Sequence, residues 1–186
     1  MMKRALIIVD PQLDFITGTL PVGGASEAMD RLATALPKIA ADQVFVTMDA
    51  HPIKHCSFEP NGGIWPTHCV KYSTGAAIWE PLMEALIALP CPISFIEKGC
   101  DLDRDQYSAF EDSYPKELES AEEILLCGLA GNVCVLNSLK DLVRHGLASK
   151  ITVLTDASPS LDDGTALNEI IRETKVKSVT LENLDK

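Results

Sequence analysis

The sequence has few aromatic residues and no long uninterrupted apolar segment. Aromatic residues make up 5% of the chain and hydrophobic residues 46%, a balance that is ordinary for a soluble α/β protein and unlike that of a disordered or collagen-like chain. No run approaches the ~18 continuous apolar residues of a membrane span. The start, MMKRALIIVDPQ, offers five apolar residues before Asp10, too few for the apolar region of a signal peptide. We therefore expect a cytoplasmic protein.

The chain also lacks a basic patch. Its 27 acidic residues outnumber its 16 basic residues, which gives a formal net charge of -11 at pH 7. The lysines and arginines are scattered along the chain, whereas a protein that binds a phosphate backbone gathers them on one surface. The composition therefore predicts neither a nucleic-acid partner nor a membrane partner.

No two of the six cysteines form a CxxC pair. A chain of 186 residues without a secretion signal has enough core to fold without disulfide bonds, so we expect reduced thiols. Free cysteine is among the most buried residue types, and most of the six are expected in the core. The absence of CxxC argues against a thiol redox protein, although the sequence leaves the redox sensitivity of Cys100 open.

Six apolar, β-branched-rich runs predict strands. They are ALIIV, QVFVT, ISFIE, EILLC, KITVLT and KSVTL, which begin at residues 5, 43, 93, 123, 150 and 177. Each run is continuous instead of alternating, as in strands buried on both faces of a parallel sheet. Helical patterns lie between most of them, so we predict a three-layer α/β/α fold with an open, doubly wound sheet of about six parallel strands. The length predicts one domain over residues 1–186.

Four helical segments are predicted between the strands: from Ser26 to Leu36, from Trp79 to Leu89, from Asn132 to about Gly146, and from Thr165 to Lys175. Ser26 and Asn132 carry short polar side chains that are typical of N-cap positions. Pro37 has no N–H and should end or kink the first helix at Leu36. The connection from residue 49 to residue 78 has no predicted element, and loops of that length are usually functional.

Ionisable and nucleophilic side chains follow four of the predicted strands where these end. Asp10 follows the first strand, Asp49 and His51 the second, and Lys98 the third, while Cys134 lies in the first turn of the helix after the fourth. Ligands of such sheets bind at the carboxyl ends of the strands, so we expect these groups to meet there. Each residue alone has a structural explanation as a cap, a solvated charge or a core thiol. Their coincidence at one edge favours a functional site.

Cys134 is a better candidate nucleophile than Cys127. A thiol in the first helical turn faces unpaired N–H groups and the positive end of the dipole, and Lys98 would add positive charge, so thiolate should be favoured. If Asp10 is to accept the thiol proton, ordinary pKa values make the transfer uphill by roughly 6 kcal/mol. The site must therefore raise the pKa of Asp10 or lower that of Cys134. With Lys98, these two residues form a set suited to attack on a carboxamide.

A second cluster lies in residues 48–69, which hold three of the four histidines. Asp49 and His51 are two positions apart, so in extended backbone their side chains point the same way, and His68 can reach back from the following loop. Two imidazoles and one carboxylate leave open positions for water or substrate, as in a catalytic metal site. We predict one divalent metal on these three residues, zinc first, with iron and manganese as alternatives. His55 is left open as an alternative ligand or a supporting group.

The chain resembles the nicotinamidases of the isochorismatase-like cysteine hydrolase superfamily over nearly its full length. The resemblance rests on IIVDPQLDF at 7–15, DAHPIKHCSF at 49–58, GGIWPTHCV at 62–70, EKGCDLDRDQYSAF at 97–110 and GLAGNVCV at 128–135. It implies the isochorismatase-like form of the predicted fold, with Rossmann-like topology, and a catalytic triad of Asp10, Lys98 and Cys134. It also implies that the predicted metal receives the pyridine nitrogen of nicotinamide.

The resemblance further implies roles for residues around the triad. Phe15 and Trp65 would sandwich the substrate ring. A cis peptide bond would precede Ala130, whose N–H would form an oxyanion hole with that of Cys134. The implied reaction hydrolyses nicotinamide to nicotinate and ammonia through a cysteine thioester, in NAD salvage, with Asp10 as the proton carrier.

Several alternatives stay open from the sequence. Ala50 stands where the family commonly has an aromatic residue, which leaves ring selectivity open, so the substrate could be pyrazinamide-like or another small heteroaryl or carbamoyl amide. A different class of function is a non-catalytic module that binds a metal or a ligand on the same fold. Tyr107 is expected in the wall near Lys98. The sequence does not fix the oligomeric state, and a homo-oligomer is one outcome.

Overall fold

Six parallel strands form one sheet in the computed structural model, which describes residues 2–184. The strands are Arg4–Val9 (β1), Gln43–Asp49 (β2), Ile93–Lys98 (β3), Glu123–Gly128 (β4), Ile151–Leu154 (β5) and Lys177–Val179 (β6). Their order across the sheet is β3-β2-β1-β4-β5-β6. This is the doubly wound order, in which the connections reverse direction between β1 and β4 and open a crevice there. The predicted fold class is confirmed.

Helices cover both faces of this sheet. They are Leu13–Ile16 (α1), Ala25–Ile39 (α2), Glu80–Ile87 (α3), Leu136–Arg144 (α4) and Thr165–Thr174 (α5), with several short 3-10 turns between them. Leu6 and Ile8 of β1 pack in the apolar cluster that holds α2 and α3. Ile7, which points to the other face, packs in the cluster that holds α4 and α5. Within residues 2–184, no helix combines the length and apolar character needed to cross a bilayer.

The first long helix differs from its prediction at both ends. It begins at Ala25 after an N-cap at Gly24, and the Ser26 hydroxyl donates to the Glu27 carboxylate instead of capping. The helix also continues through Pro37 to Ile39. Pro37 has no N–H to donate to the Ala33 carbonyl, so the last turn has one hydrogen bond fewer. The buried side chains of Leu36 and Ile39 pack in the apolar cluster and favour the helical turn.

The start of the helix after β4 also differs. One π-helical turn, Gly131–Val135, precedes α4, and its N-cap residue is Ala130. The Asn132 side chain does not cap; its carboxamide oxygen accepts the N–H of Leu161 at 2.9 Å. Asn132 therefore ties the loop after β5 to the turn that carries Cys134.

The prediction that the strands are buried on both faces is confirmed for the central strands and wrong for the two edge strands. Five of the six residues of β1 and of β4 are buried. By contrast, Phe95 of β3 is 45% exposed, and Lys177 and Ser178 of β6 are exposed. An edge strand has a neighbour on one side only, and the helical layers lie mainly over the middle of the sheet. A continuous apolar run thus predicted the strand correctly but not its position in the sheet.

Candidate active site and metal centre

Asp10, Lys98 and Cys134 lie in contact at the carboxyl ends of the strands. The ammonium nitrogen of Lys98 is 2.9 Å from Asp10 Oδ2 and 3.6 Å from Cys134 Sγ. The three residues are 0%, 2% and 5% exposed, in the order named above. The structure thus brings together three side chains that the sequence predicted to meet.

Neighbouring strands fix the position of Asp10. This residue directly follows β1, and its φ of 45° is in the left-handed region that few residues other than glycine adopt. Its N–H donates to the Thr47 carbonyl at 3.1 Å, and the Thr47 hydroxyl donates to Asp10 Oδ1 at 2.6 Å. Because β2 holds both the backbone and the carboxylate of Asp10, the carboxylate stays directed at Lys98.

Burial controls the protonation of the two groups that would exchange a proton. It raises the pKa of Asp10, although Lys98 and Thr47 act in the opposite direction. It also raises the pKa of the Cys134 thiol well above its usual range, and the charge of Lys98 offsets this only in part. The expected preference for thiolate is therefore wrong for the resting site. Of the two ways predicted to ease proton transfer, the structure shows a more basic Asp10.

Lys98 remains an ammonium although it is fully buried. Burial alone would lower its pKa, but the carboxylates of Asp10 and Asp49 outweigh this effect and raise the pKa well above its ordinary value. The Asp49 contact is a 2.5 Å hydrogen bond from Lys98 Nζ to Oδ1. The register of the sheet favours this contact, because Asp49 and Lys98 are direct partners in the β2–β3 ladder.

Asp49, His51 and His68 form a compact cluster of three ligand atoms. The Nε2 atoms of His51 and His68 lie 3.6 and 3.9 Å from Asp49 Oδ2, and the candidate ligand atoms of all three residues lie within 4.8 Å of one another. All three side chains are buried. The carboxylate of Asp49 therefore faces Lys98 with one oxygen and the two imidazoles with the other.

The hydrogen bonds of the two imidazoles fit a metal. Nδ1 of His51 lies 2.9 Å from the Gly99 carbonyl, and Nδ1 of His68 lies 2.7 Å from the Pro66 carbonyl. Because a carbonyl only accepts, each Nδ1 carries a proton, so in its neutral form each ring directs the lone pair of Nε2 toward Asp49. In a buried site, these lone pairs and the carboxylate that they face repel one another unless a cation lies between them. The donor set therefore suits one divalent metal with imidazoles oriented from behind.

The pKa values around this cluster agree with a place for positive charge. Burial would raise the pKa of Asp49, but Lys98 and His51 hold it below its ordinary value. Burial would lower the pKa of His51, yet Asp49 beside Nε2 raises it overall. Burial does lower the pKa of His68, which keeps that ring neutral and able to ligate.

His55 is not one of the ligands that the structure brings together. Its Nδ1 is hydrogen-bonded to the Ser57 hydroxyl at 2.7 Å and its Nε2 to the Arg104 carbonyl at 3.0 Å. The ring stacks on that of His51, with 4.1 Å between the centroids. Of the two alternatives left open by the sequence, the structure therefore favours a supporting group behind His51.

A cavity opens onto Lys98 and Cys134 of the triad and onto the metal cluster. Phe15 and Trp65 line it, together with Tyr107. The Trp65 indole N–H donates to the Tyr107 hydroxyl at 3.1 Å, and the Phe15 ring lies 5.4 Å from that of His68. The remaining walls are mainly apolar and include Leu20, Val22, Val133 and Leu161. A small flat ring with one polar substituent suits this mixture of apolar walls and a polar floor.

The turn before Cys134 also has the expected backbone form. The peptide bond between Leu129 and Ala130 is cis, and both Ala130 and Cys134 line the cavity. Ala50 differs from expectation in its location. Within the described part of the chain it is not among the lining residues, and its N–H donates to the Lys98 carbonyl at 2.9 Å. Its small side chain is buried in the β2–β3 region instead of in the cavity wall.

Comparison with known proteins places this geometry in a family. The family model described as the isochorismatase domain matches residues 4–175. The chain belongs to the isochorismatase domain family. Among curated relatives of known function, the nicotinamidase/pyrazinamidase of Mycobacterium tuberculosis is 33% identical, and the match covers 95% of this chain and 98% of that protein.

Solved structures agree with this membership. The PnC1 protein of L. infantum in complex with nicotinate superposes with a TM-score of 0.85 and 28% identity over 97% of this chain and 93% of that one. The pyrazinamidase of Pyrococcus horikoshii in complex with zinc gives a TM-score of 0.78 and 28% identity over 96% and 99%. The isochorismatase-like form of the predicted fold is confirmed.

Three polar residues of the site were missed from the sequence. Gln12 and Asp14 lie in the segment IIVDPQLDF, and Thr47 lies near the end of β2. Gln12 hydrogen-bonds to the backbone of Asp49, and Asp14 accepts the N–H of Cys69, next to His68, at 2.7 Å. In the sequence, each appears only as a polar residue in an apolar stretch near the candidate ligands. That pattern does not indicate which group the side chain contacts.

Replacing Gly99 with alanine should weaken metal binding by displacing His51. A Cβ at this position would lie 2.4 Å from His51 Cε1 and 2.6 Å from Nδ1, and the φ of Gly99 is 63°. We expect a loss of metal affinity of about 10-fold or more, since the carbonyl of residue 99 also orients this ring. Isothermal titration calorimetry with zinc measures it.

Gly62→Ala is the matched control for this prediction. Gly62 also has a positive φ, 92°, but a Cβ there meets nothing within 4 Å. This variant should lose about 1 kcal/mol of stability through backbone strain alone and bind zinc as the wild type does. Equal zinc affinity in both variants would contradict the steric argument at Gly99.

Proposed function

We propose that this protein hydrolyses nicotinamide to nicotinate and ammonia as a metal-dependent cysteine amidohydrolase in NAD salvage. One observation carries the proposal: the thiol of Cys134 and the ammonium of Lys98 line one cavity with a three-ligand metal cluster, and Lys98 is paired with the buried carboxylate of Asp10. A thiol with a proton acceptor and a cation is the set required for acyl transfer from an amide. The 33% identity to a nicotinamidase/pyrazinamidase over nearly the whole chain supports the substrate class.

The first half of the reaction forms a thioester. Cys134 Sγ attacks the carboxamide carbon as its proton passes to Asp10, whose pKa is raised by burial. The C–N bond breaks, and Asp10 returns that proton to the departing nitrogen, which leaves as ammonia. Lys98 stabilises negative charge on the sulfur 3.6 Å away. The backbone N–H groups of Ala130 and Cys134 would donate to the developing oxyanion, which is usually a large catalytic contribution.

The second half regenerates the thiol. Asp10 accepts a proton from a water molecule, whose oxygen attacks the thioester carbon. The C–S bond then breaks, nicotinate is released, and the proton held by Asp10 returns to Cys134. The Asp10 carboxylate thus acts first as a base and then as an acid in each half of the reaction.

Asp49, His51 and His68 would hold the divalent metal. When bound, it supplies a Lewis acid that receives the ring nitrogen of the substrate and orients the ring. We propose zinc, because two imidazoles and one carboxylate suit it and because a pyrazinamidase at 28% identity was solved in complex with zinc. Phe15 and Trp65 would then bind the two faces of the ring from the cavity walls.

Ammonia release from nicotinamide, measured with and without a chelator, tests this function. We expect turnover by the zinc-loaded protein, loss of nearly all turnover after chelation, and recovery when zinc is restored. Benzamide has the same carboxamide on a ring without the nitrogen, and it should be a much poorer substrate. Inert nicotinamide alongside turnover of another amide in the same assay would contradict the proposed substrate.

We also propose a single domain over residues 1–186. The cytoplasmic location and a homo-oligomeric state stay predictions from the sequence. Analytical ultracentrifugation of the zinc-loaded protein measures the oligomeric state directly.

A further inference from the structure

The side chain of Gln12 is fully buried, and each of its polar atoms is hydrogen-bonded. Its Oε1 accepts the N–H of Asp49 at 2.8 Å. Its Nε2 donates to the Asp49 carbonyl at 2.8 Å and to the Ala76 carbonyl at 3.0 Å. One carboxamide therefore satisfies both backbone groups of a single residue, and that residue is the carboxylate member of the metal cluster.

This contact replaces a missing part of the sheet. The ladder between β1 and β2 ends at the pair Ile8–Val46, three residues before Asp49, because the chain turns at Asp10 into the left-handed region. On its other side, Asp49 still pairs with Lys98 of β3. Gln12 thus supplies to Asp49, from the side of β1, the donor and the acceptor that the next peptide group of a strand would have supplied.

The position of Asp49 matters more than that of an ordinary strand residue. Its Oδ1 accepts from Lys98 at 2.5 Å, and its Oδ2 lies 3.6 and 3.9 Å from Nε2 of His51 and of His68. A small rotation of the Asp49 backbone would move both oxygens at once. Groups that orient a ligand from behind commonly change metal affinity or activity by about 10- to 100-fold when they are removed.

We propose that Gln12 is a positioning residue that sets the Asp49 carboxylate for the metal and for Lys98 together. Among the described residues, Gln12 is not one of those that line the cavity. It therefore acts through Asp49 and not on the substrate. The inference rests on the metal site of the proposed function. A purely structural role would lower stability without changing the affinity of the folded protein for metal, which separates the two explanations.

Gln12→Met tests this inference, since methionine keeps the length of the side chain and removes all three hydrogen bonds. We expect the dissociation constant for zinc, measured by calorimetry on the metal-free full chain, to increase about 10- to 100-fold. The variant at saturating zinc should also show a lower kcat, because a displaced Asp49 carboxylate holds Lys98 less well. Thermal unfolding shows whether each variant is folded under the conditions of the titration.

Leu36→Ala is the control for lost stability. Leu36 is 2% exposed and lines a small cavity with Pro37, Leu89 and Pro90, away from the metal cluster. This variant should unfold at a lower temperature and bind zinc with unchanged affinity. A wild-type dissociation constant in folded Gln12→Met would overturn the positioning role.

Gln12→Glu carries the test if the methionine variant does not fold. Glutamate keeps the oxygen that accepts from Asp49 but turns a second oxygen toward two carbonyls, so zinc should again bind at least 10-fold more weakly. Unchanged affinity in this variant would overturn the inference. Failure of the wild type to bind zinc would instead contradict the metal site of the proposed function, so the two failures are distinguishable.

Discussion

Cys134→Ala is expected to reduce the turnover of nicotinamide by a factor on the order of 10⁴ or more, because it removes the atom that forms the thioester. The substitution leaves Asp10 and Lys98 paired at 2.9 Å and does not touch the metal ligands. Zinc should therefore bind with an affinity close to that of the wild type. Steady-state ammonia release and calorimetry on the same preparation measure the two effects.

Cys127→Ala is a matched control from the same segment. Cys127 is fully buried in β4, where its thiol donates weakly to the Ile7 carbonyl at 3.8 Å, and burial raises its pKa above the ordinary value. Its loss should lower stability by about 1 kcal/mol and leave turnover intact. Full activity of Cys134→Ala would rule out the proposed nucleophile, and zinc binding without turnover in the wild type would favour a non-catalytic module.

Lys98→Met is expected to impair both turnover and folding. The substitution leaves the carboxylates of Asp10 and Asp49 buried without the cation that lies between them at 2.9 and 2.5 Å. Removal of one partner from a buried ion pair typically destabilises a protein by about 3–5 kcal/mol. Turnover should fall by about 10³-fold or more, because an unpaired Asp10 tends to be protonated and the sulfur loses its neighbouring charge. Urea unfolding and the ammonia assay measure these losses.

Lys71→Met shows what loss of an exposed lysine does nearby. Lys71 pairs with Glu97, the residue before Lys98, at 2.6 Å, but the two side chains are 35% and 43% exposed. Loss of such a surface pair changes stability by less than about 1 kcal/mol and should not change turnover. Similar effects of the two lysine substitutions would mean that the buried position of Lys98 has no special role.

The strands and the meeting of the triad could be predicted because they depend on local patterns. A continuous apolar run indicates a strand of a parallel sheet, and such strands end at the same edge. Asp10 and Lys98 directly follow such runs, and Cys134 lies in the first helical turn after another, so the order of the elements was enough to predict that they meet. The meeting of Asp49 and His51 could also be predicted, because side chains two positions apart in extended backbone point the same way.

Several residues that sequence analysis misassigned, missed or left open owe their roles to contacts that residue type does not reveal. Asn132 and Ser26 have typical capping side chains, but Asn132 accepts from Leu161 and the helix of Ser26 begins before it at Ala25. His55 has the right residue type for a ligand, but the Ser57 hydroxyl and the Arg104 carbonyl occupy its two nitrogens. Gln12 reads as an ordinary polar residue until its contact with Asp49 is known. Residue type alone cannot reveal such long-range hydrogen bonds.

The order of the strands has a consequence for any dissection of this protein. Asp10 follows β1 and Cys134 follows β4, and these two strands are neighbours at the centre of the sheet. Paired residues of the two strands are 119 positions apart in the sequence, as Arg4 pairs with Glu123. No contiguous fragment that omits either half of the chain contains both residues. Catalytic competence is therefore a property of the assembled sheet, and enzyme recovered after denaturation will report on the slowest long-range strand pairing and not on early helix formation.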